Sequence, residues 1–307
     1  FGYSIELTKA NMRLAPADYR RRQTLANGER YTTDALQQFE TKMLRAQDER
    51  LMCEAKIYDQ LVENVAKEVL RIYRLALHLA ELDALLSLAE VAELHGYTRP
   101  TLTDETLVEL KDCRHPVLEV TLPPGERFVP SDISLNSKTR QMLIITGPNM
   151  AGKSTAMRQT ALAVILAQMG SFVPASSARI GLCDRIFTRV GAADDISQGH
   201  STFMLEMLET QTVLRHATEK SLVLLDEIGR GTSTFDGLAI AWAVAEHVHD
   251  RLGCRTLFAT HYQELTELEK HLPRVKNVCV SAAQVDGKIV FLRKLIAGAS
   301  DRSYGID

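Results

Sequence analysis

The sequence predicts an α/β protein: a mainly parallel sheet flanked by helices, preceded by a long helical segment. Three observations carry this. From about Thr98 onward, short β-rich apolar runs alternate with helical ones, as in parallel strands joined by crossover helices. A glycine-rich loop, GPNMAGKST, joins one of those strands to a helix. Between Thr32 and His95 there is neither Gly nor Pro, and apolar or small residues recur there at steps of three and four.

The 307 residues suffice for one large domain plus a smaller one. A hydrophobic content of 45% with 24% charged residues excludes a disordered chain. The net charge of −3 gives no global attraction to nucleic acid, so any such binding must come from a local patch. Cys53, Cys113, Cys183, Cys254 and Cys279 are scattered without a C-x-x-C pair. They are expected to be reduced core thiols of a cytosolic or nuclear protein, not a disulfide frame or a zinc site. The longest apolar stretch, ALAVILAQMGSFV from Ala161, is too short to span a bilayer, and no secretory leader is visible. Phe1 is not a natural start, so the chain is expected to be a fragment.

Residues 1–30 open with the alternating, strand-like FGYSIELTK and continue into the basic, polar DYRRRQTLANGERY. Residues 31–97 form the helical zone. Its apolar series runs through Leu51, Ala55, Tyr58, Val62, Val65, Val69 and Ile72, and on to Leu86. Thr33 or Asp34 is the expected N-cap and Gly96 the stop. An unbroken helix of that length would reach roughly 95 Å, so a two-helix lever is expected, without a visible turning point. Residues 98–307 supply the strands QMLIIT, DRIFTRV, SLVLLDE and RTLFAT, and the helices starting near Lys153, Phe203 and Gly237. Asp286-Gly287, between two strand-like runs, predicts a hairpin.

The loop Gly147-Pro148-Asn149-Met150-Ala151-Gly152-Lys153-Ser154-Thr155 fits G-x-x-x-x-G-K-[ST] between a buried strand and a helix. Its glycines let backbone N–H groups turn toward phosphate oxygens, where the helix N-terminus adds positive potential. Lys153 is the candidate to neutralise the β- and γ-phosphates of a nucleoside triphosphate, and Ser154 to ligate Mg²⁺. Downstream, SLVLLDE delivers Asp226 and Glu227 to the C-terminal edge of the same sheet, where such sheets place ligands. Asp226 suits the metal. Glu227 suits a general base that positions the attacking water. In TLFATHY, His261 follows another buried strand, in reach of the γ-phosphate.

Between these landmarks stands DDISQGHSTFMLEM, a second small-residue loop at a helix start. One subunit's phosphates already have a cradle. Ser201 and Thr202 are therefore expected to meet the γ-phosphate held by a neighbour, as in a dimeric nucleotide-binding domain of the ABC type.

SLVLLDEIGRGTSTFDG, GPNMAGKST, RVGAADDISQGHSTFMLEM and ATHY together resemble the MutS family of DNA mismatch-repair ATPases, over nearly the whole chain. The resemblance implies a Mg²⁺-dependent ATPase that cycles between ATP and ADP at a dimer interface, with residues 31–97 as the lever toward DNA and residues 1–30 as a clamp remnant. It carries the phosphate and Mg²⁺ roles onto Gly147, Asn149, Gly152, Lys153, Ser154 and Thr155. It gives Asp226 and Glu227 metal and water, His261 the γ-phosphate, and Ser201 an action across the dimer. Thr232, Ser233 and Asp236 would lie at the subunit junction. Phe128 is a candidate for stacking on adenine, with core packing the alternative.

As partners the resemblance implies double-stranded DNA, a second copy or a paralogue, and a MutL-type repair protein, with no membrane. The setting would be cytoplasmic in a bacterium and nuclear in a eukaryote. Ala151 replaces a glycine common in the family, and its backbone must stay out of positive φ. The family's mismatch wedge, connector, most of the clamp and the tail after SYGID are expected to lie outside this sequence. Arg20, Arg21 and Arg22, with Lys9 and Arg13, form its obvious basic cluster, a candidate for sequence-independent phosphate contact. Two alternatives share these motifs: a related ATPase acting on recombination intermediates, and a clamp that nucleotide merely locks.

Overall fold

The computed structural model describes residues 2–123, 125–148, 151–189, 202–285 and 288–299. It divides into two compact units, Phe1–Leu82 and Asp83–Asp307.

In the first unit, strands β1 (Ile5–Thr8), β2 (Arg20–Leu25) and β3 (Gly28–Thr32) form an antiparallel sheet in the order β1-β3-β2. A Cβ at Gly28 would lie 2.2 Å from the Leu7 carbonyl oxygen, so only glycine allows the backbones to approach there. Helix α1 (Asp34–Lys67) starts at Thr33, whose hydroxyl accepts the Leu36 N–H at 3.1 Å. Thr33, not Asp34, is thus the N-cap. The helical run breaks at Glu68 (φ −97, ψ 1) and resumes as α2 (Val69–His95). Leu51, Tyr58, Val62, Val65, Val69 and Ile72, which set the apolar period, are all exposed, and α1 has no buried residue. The period makes the helix legible, but the described chain buries none of that stripe. Cys53 also lies exposed on α1, so the expectation of core thiols fails there. It holds for the buried Cys113, Cys183, Cys254 and Cys279, and all five are free.

In the second unit α2 ends at Gly96, whose φ of 59 lets the Tyr97 N–H reach the Ala92 carbonyl at 2.8 Å. Arg114 donates to the His95 and Gly96 carbonyls at 3.0 and 3.2 Å, covering acceptors that the last helical turn leaves open. The chain continues through β4 (Thr101–Thr103), β5 (Leu107–Cys113), α3 (Leu118–Thr121), β6 (Ser131–Asn136), β7 (Met142–Thr146) and α4 (Lys153–Gln168). Next come β8 (Ser177–Gly181), β9 (Ile186–Arg189), α5 (Thr202–His216), β10 (Leu222–Asp226) and α6 (Thr234–His247). Last are β11 (Arg255–Ala259), α7 (Leu268–His271), β12 (Val275–Val285) and β13 (Lys288–Ala297).

Two sheets result: a smaller β4-β8-β5-β6, and a six-stranded β13-β12-β7-β11-β10-β9. In the larger, every neighbouring pair is parallel except the β12–β13 edge, where Val285 faces Lys288 as the Asp286-Gly287 hairpin predicts. Those two turn residues lie outside the described ones. Strand alternation divides the core between the faces. Leu143, Ile145, Leu222, Leu224 and Leu257 pack with Met157 and Val164 of α4 and with Val108 and Ile180 of the smaller sheet. Met142, Ile144, Val223, Leu225 and Phe258 pack with Ala241 and Val244 of α6. Burial on both faces is why these strands read as continuous apolar runs.

Arg255 is fully buried and holds the sheets together through backbone carbonyls. Its Nη1 donates to Leu107 and Gly181 at 3.0 and 2.9 Å, and its Nη2 to Leu182 at 3.1 Å and to Lys220. Replacing it with methionine would orphan these acceptors. Arg255→Met is therefore expected to cost about 3 kcal/mol and lower Tm by roughly 6–12 °C in a thermal melt. An unchanged Tm would show that water satisfies those carbonyls. Among the described residues no helix is long and apolar enough to cross a membrane.

Candidate active site

Strand β7 is buried along its whole length, and its last residue leads into a loop of unusual backbone: Gly147 has φ 136 and Gly152 has φ 111. L-residues rarely adopt either value, which is why glycine stands at both positions. Helix α4 starts directly at Lys153, so the amides of its first turn have no intrahelical acceptor and face the loop's mouth. Asn149 and Met150 lie outside the described residues. Ala151 is buried, and its backbone stays out of positive φ, since Asp112 and Glu227 are the only non-glycine residues of positive φ among those described.

Lys153 is buried, at 4% exposure. Its Nζ donates to the Gly147 and Pro148 carbonyls at 2.8 and 3.1 Å, folding over the loop, and stands 4.0 Å from Glu227 Oε1. Burial pushes the ammonium pKa down, opposed by the charges of Glu227 and Asp226. A desolvated cation of this kind gains from an incoming anion.

Parallel pairing sets Asp226 beside Ala259, and Ala259 beside Ile145, so the C-terminal ends of β7, β10 and β11 share one edge. There the Ser154 hydroxyl donates to Asp226 Oδ2 at 2.5 Å. Asp226 Oδ1 is buried with no hydrogen-bond partner, and burial raises the carboxyl's pKa. A hydroxyl and a carboxylate with an unused buried lone pair, next to a phosphate-type loop, fit a hard divalent cation. Thr155 follows, half-buried.

Glu227 has left-handed backbone, φ 57, held by its N–H bond to the Ala259 carbonyl at 2.9 Å. Its Oε1 meets His261 Nε2, and its Oε2 pairs with Arg230 Nη1 at 2.5 Å. The His261 hydrogen bond, aided by Arg230 and opposed by burial, holds the Glu227 carboxyl below the ordinary glutamate value of 4.5. The sign follows. A depressed folded-state pKa contributes stability above the unfolded value, lost as pH falls through the folded one, and keeps Glu227 ionised at neutral pH. Removing His261 removes the largest lowering cause. His261→Ala is thus expected to move any Glu227-dependent acid limb of a pH–rate profile to higher pH. An acid limb in the same place would detach the two residues functionally.

Lys153, Ser154, Asp226, Glu227 and His261 therefore converge as the sequence predicts. The direct Glu227–His261 bond goes beyond that expectation. Phe128 lies half-buried on the irregular segment before β6. Ser201 lies outside the described residues, and α5 begins at the residue after it. Ser233 caps α6, accepting the Asp236 N–H at 3.4 Å and donating to the Asp236 carboxylate at 2.7 Å. A role within the chain thus accounts for this pair. Thr232 lines a cleft of about 220 Å³ beside Glu227 and His261.

Sequence reasoning misses Arg230, Tyr262 and Glu206 as part of this neighbourhood. Arg230 stands in the DEIGRG run, three residues from Glu227. Glu206 stands in the STFMLEM stretch after the second loop, and Tyr262 ends ATHY. The DNA candidates separate. Arg20, Arg21 and Arg22 each pair with a carboxylate of the same unit: Asp34 at 2.9 Å, Glu29 at 3.2 Å and Glu40 at 3.2 Å. A phosphate contact would have to exchange with those partners. Lys9 and Arg13 are exposed.

Two family models match the chain: MutS domain V over residues 143–307, and MutS family domain IV over residues 1–49. The chain is 57% identical over 306 residues to the DNA mismatch repair protein MutS of Symbiobacterium thermophilum, covering 100% of this chain and 35% of that protein. It is 54% identical over 308 residues to the protein of that name from Myxococcus xanthus, covering 100% and 34%. The corresponding figures for Acetivibrio thermocellus are 54% over 306 residues, 100% and 35%. The chain spans about a third of the length of the curated relatives it matches.

Proposed function

Because the chain belongs to the MutS family of DNA mismatch-repair proteins and carries that family's ATPase domain, we propose that it binds ATP with Mg²⁺ and hydrolyses it at the edge of the larger sheet. The observation that carries this is the convergence of Lys153, the Ser154–Asp226 pair, Glu227 and His261 on that edge. On arrival of ATP, Lys153 exchanges the Gly147 and Pro148 carbonyls for β- and γ-phosphate oxygens. The amides of the loop and of the first turn of α4 take the remaining phosphate charge. Ser154 and Asp226 would hold Mg²⁺, which would supply positive charge to neutralise the phosphate oxygens. Glu227, ionised, orients the attacking water and accepts its proton, and His261, bonded to that carboxylate, is the residue to contact the γ-phosphate.

Ser201 completes the site of a second copy or a paralogue, so that ATP favours the closed dimer as far as it binds that state more tightly. Phe128 stacks on adenine. Residues 31–97 are a lever, and residues 1–30 part of a clamp on double-stranded DNA that Lys9, Arg13 and Arg20 to Arg22 grip without reading sequence. A MutL-type partner and a cytoplasmic setting follow from the same family reading.

The test is turnover. The purified chain should release phosphate from ATP in a Mg²⁺-dependent assay, and elute as a larger species with a non-hydrolysable ATP analogue than without. Binding without turnover would instead favour a clamp that nucleotide merely locks.

A further inference from the structure

Glu206 is a buried carboxylate to which ATP hydrolysis as described gives no task. It lies on α5 at 3% exposure, and a charge removed from water persists only with partners. Its Oε1 accepts the Gly229 N–H, and its Oε2 faces Arg189 Nη2 at 3.9 Å. Arg189 also serves Glu209, 2.9 Å from its Nε, so the Gly229 amide is the closer and more directed partner of Glu206.

Gly229 stands two residues past Glu227, and its neighbourhood is gripped on both sides. Glu206 takes its N–H, and the Tyr262 hydroxyl donates to its carbonyl at 3.0 Å. A Cβ at Gly229 would lie 2.4 Å from the Gly237 carbonyl oxygen, so the backbone has little room to relax toward α6. Upstream, Glu227 holds its left-handed backbone through one hydrogen bond to Ala259. A residue with a side chain stays in that conformation where its surroundings over-determine it. Downstream, that determination comes from Glu206 and Tyr262.

We propose that Glu206 is a positioning residue for hydrolysis: by fixing the Gly229 peptide, its carboxylate sets the turn that aims Glu227 at the attacking water. It touches no substrate and acts through Glu227, and the inference rests on Glu227 being the base.

Two substitutions separate this role from a general structural one. Glu206→Gln keeps an oxygen acceptor at the same reach without the charge. Glu206→Asp keeps the charge but draws it back by one methylene, about 1.5 Å. ATP turnover and binding of a non-hydrolysable ATP analogue are measured on the full chain for both, beside the parent and Glu227→Gln. Glu206→Asp should lose about tenfold or more in kcat and Glu206→Gln less, both binding the analogue within about threefold of the parent, since misplacing a reacting group by about an ångström slows chemistry more than binding.

A role through charge against Arg189 predicts the reverse order and overturns the proposal. Parent-like kcat in both variants, or kcat and analogue affinity falling together, does the same. If Glu206→Asp does not fold, Tyr262→Phe loosens the same peptide from its other side. A lower kcat at unchanged affinity then supports the proposal, and an unchanged kcat overturns it. A parent without turnover, or a Glu227→Gln variant as active as the parent, removes the hydrolytic reading itself.

Discussion

Glu227→Gln is expected to bind ATP as the parent does and to lose turnover by about 10²–10⁴-fold, the usual contribution of a positioned general base. The amide is nearly isosteric, so it keeps an oxygen for the hydrogen bond with His261. It cannot accept the proton of the attacking water. It also forfeits the ion pair with Arg230, which is exposed on the arginine side and so contributes little to stability. Binding should therefore survive while chemistry stops, a loss of kcat without a loss of affinity. Analogue binding by titration and phosphate release under saturating ATP are the two measurements. Turnover within a few-fold of the parent would take the base assignment away from Glu227 and leave it a structural carboxylate held by His261.

Lys153→Ala should lose both binding and turnover. The ammonium is buried in the mouth of the loop, so its attraction for phosphate is weakly screened, and charge-assisted hydrogen bonds of this kind contribute about 1.5–3 kcal/mol each. Losing even one of them corresponds to a fall of roughly 10- to 100-fold in ATP affinity. The Gly147 and Pro148 carbonyls lose their donor at the same time, so a thermal melt must accompany the titration. A folded variant that still binds ATP like the parent would show that the loop amides alone carry the phosphates.

Both variants alter residues that the sequence alone makes legible, for a definable reason. Strand, glycine loop, helix and the Lys-Ser pair are contiguous, so local spacing determines their geometry. Asp226 and Glu227 end an apolar run, and in a parallel sheet all such runs end on one edge. The helices are legible from their period, and the Asp286-Gly287 hairpin from its turn chemistry. The β2–β3 hairpin turns at Ala26-Asn27, one residue before the place an Asn27-Gly28 turn would occupy, and the arginines around it make the segment read as a basic loop.

Other features are not written locally. No sequence pattern says that His261 and Glu227 bond to each other, since residues 34 apart meet through the pairing of β10 with β11. Arg255 looks like any charged residue at a strand start. Only the meeting of the two sheets turns it into a buried donor to Leu107, Gly181, Leu182 and Lys220. The exposed stripe of α1 and α2 shows the converse, because periodicity reports which face is apolar and not what covers it.

The sequence by itself determined the order of elements, the phosphate loop and the identity of the metal-ligand and base candidates, because each depends on residues adjacent along the chain. Tertiary structure alone decided which of those groups touch. It gave Glu227 its left-handed turn and its histidine, left one oxygen of Asp226 open, and set the Glu206 carboxylate against the Gly229 amide. Such contacts depend on how sheets and helices close over a shared core, and no stretch of residues encodes that alone.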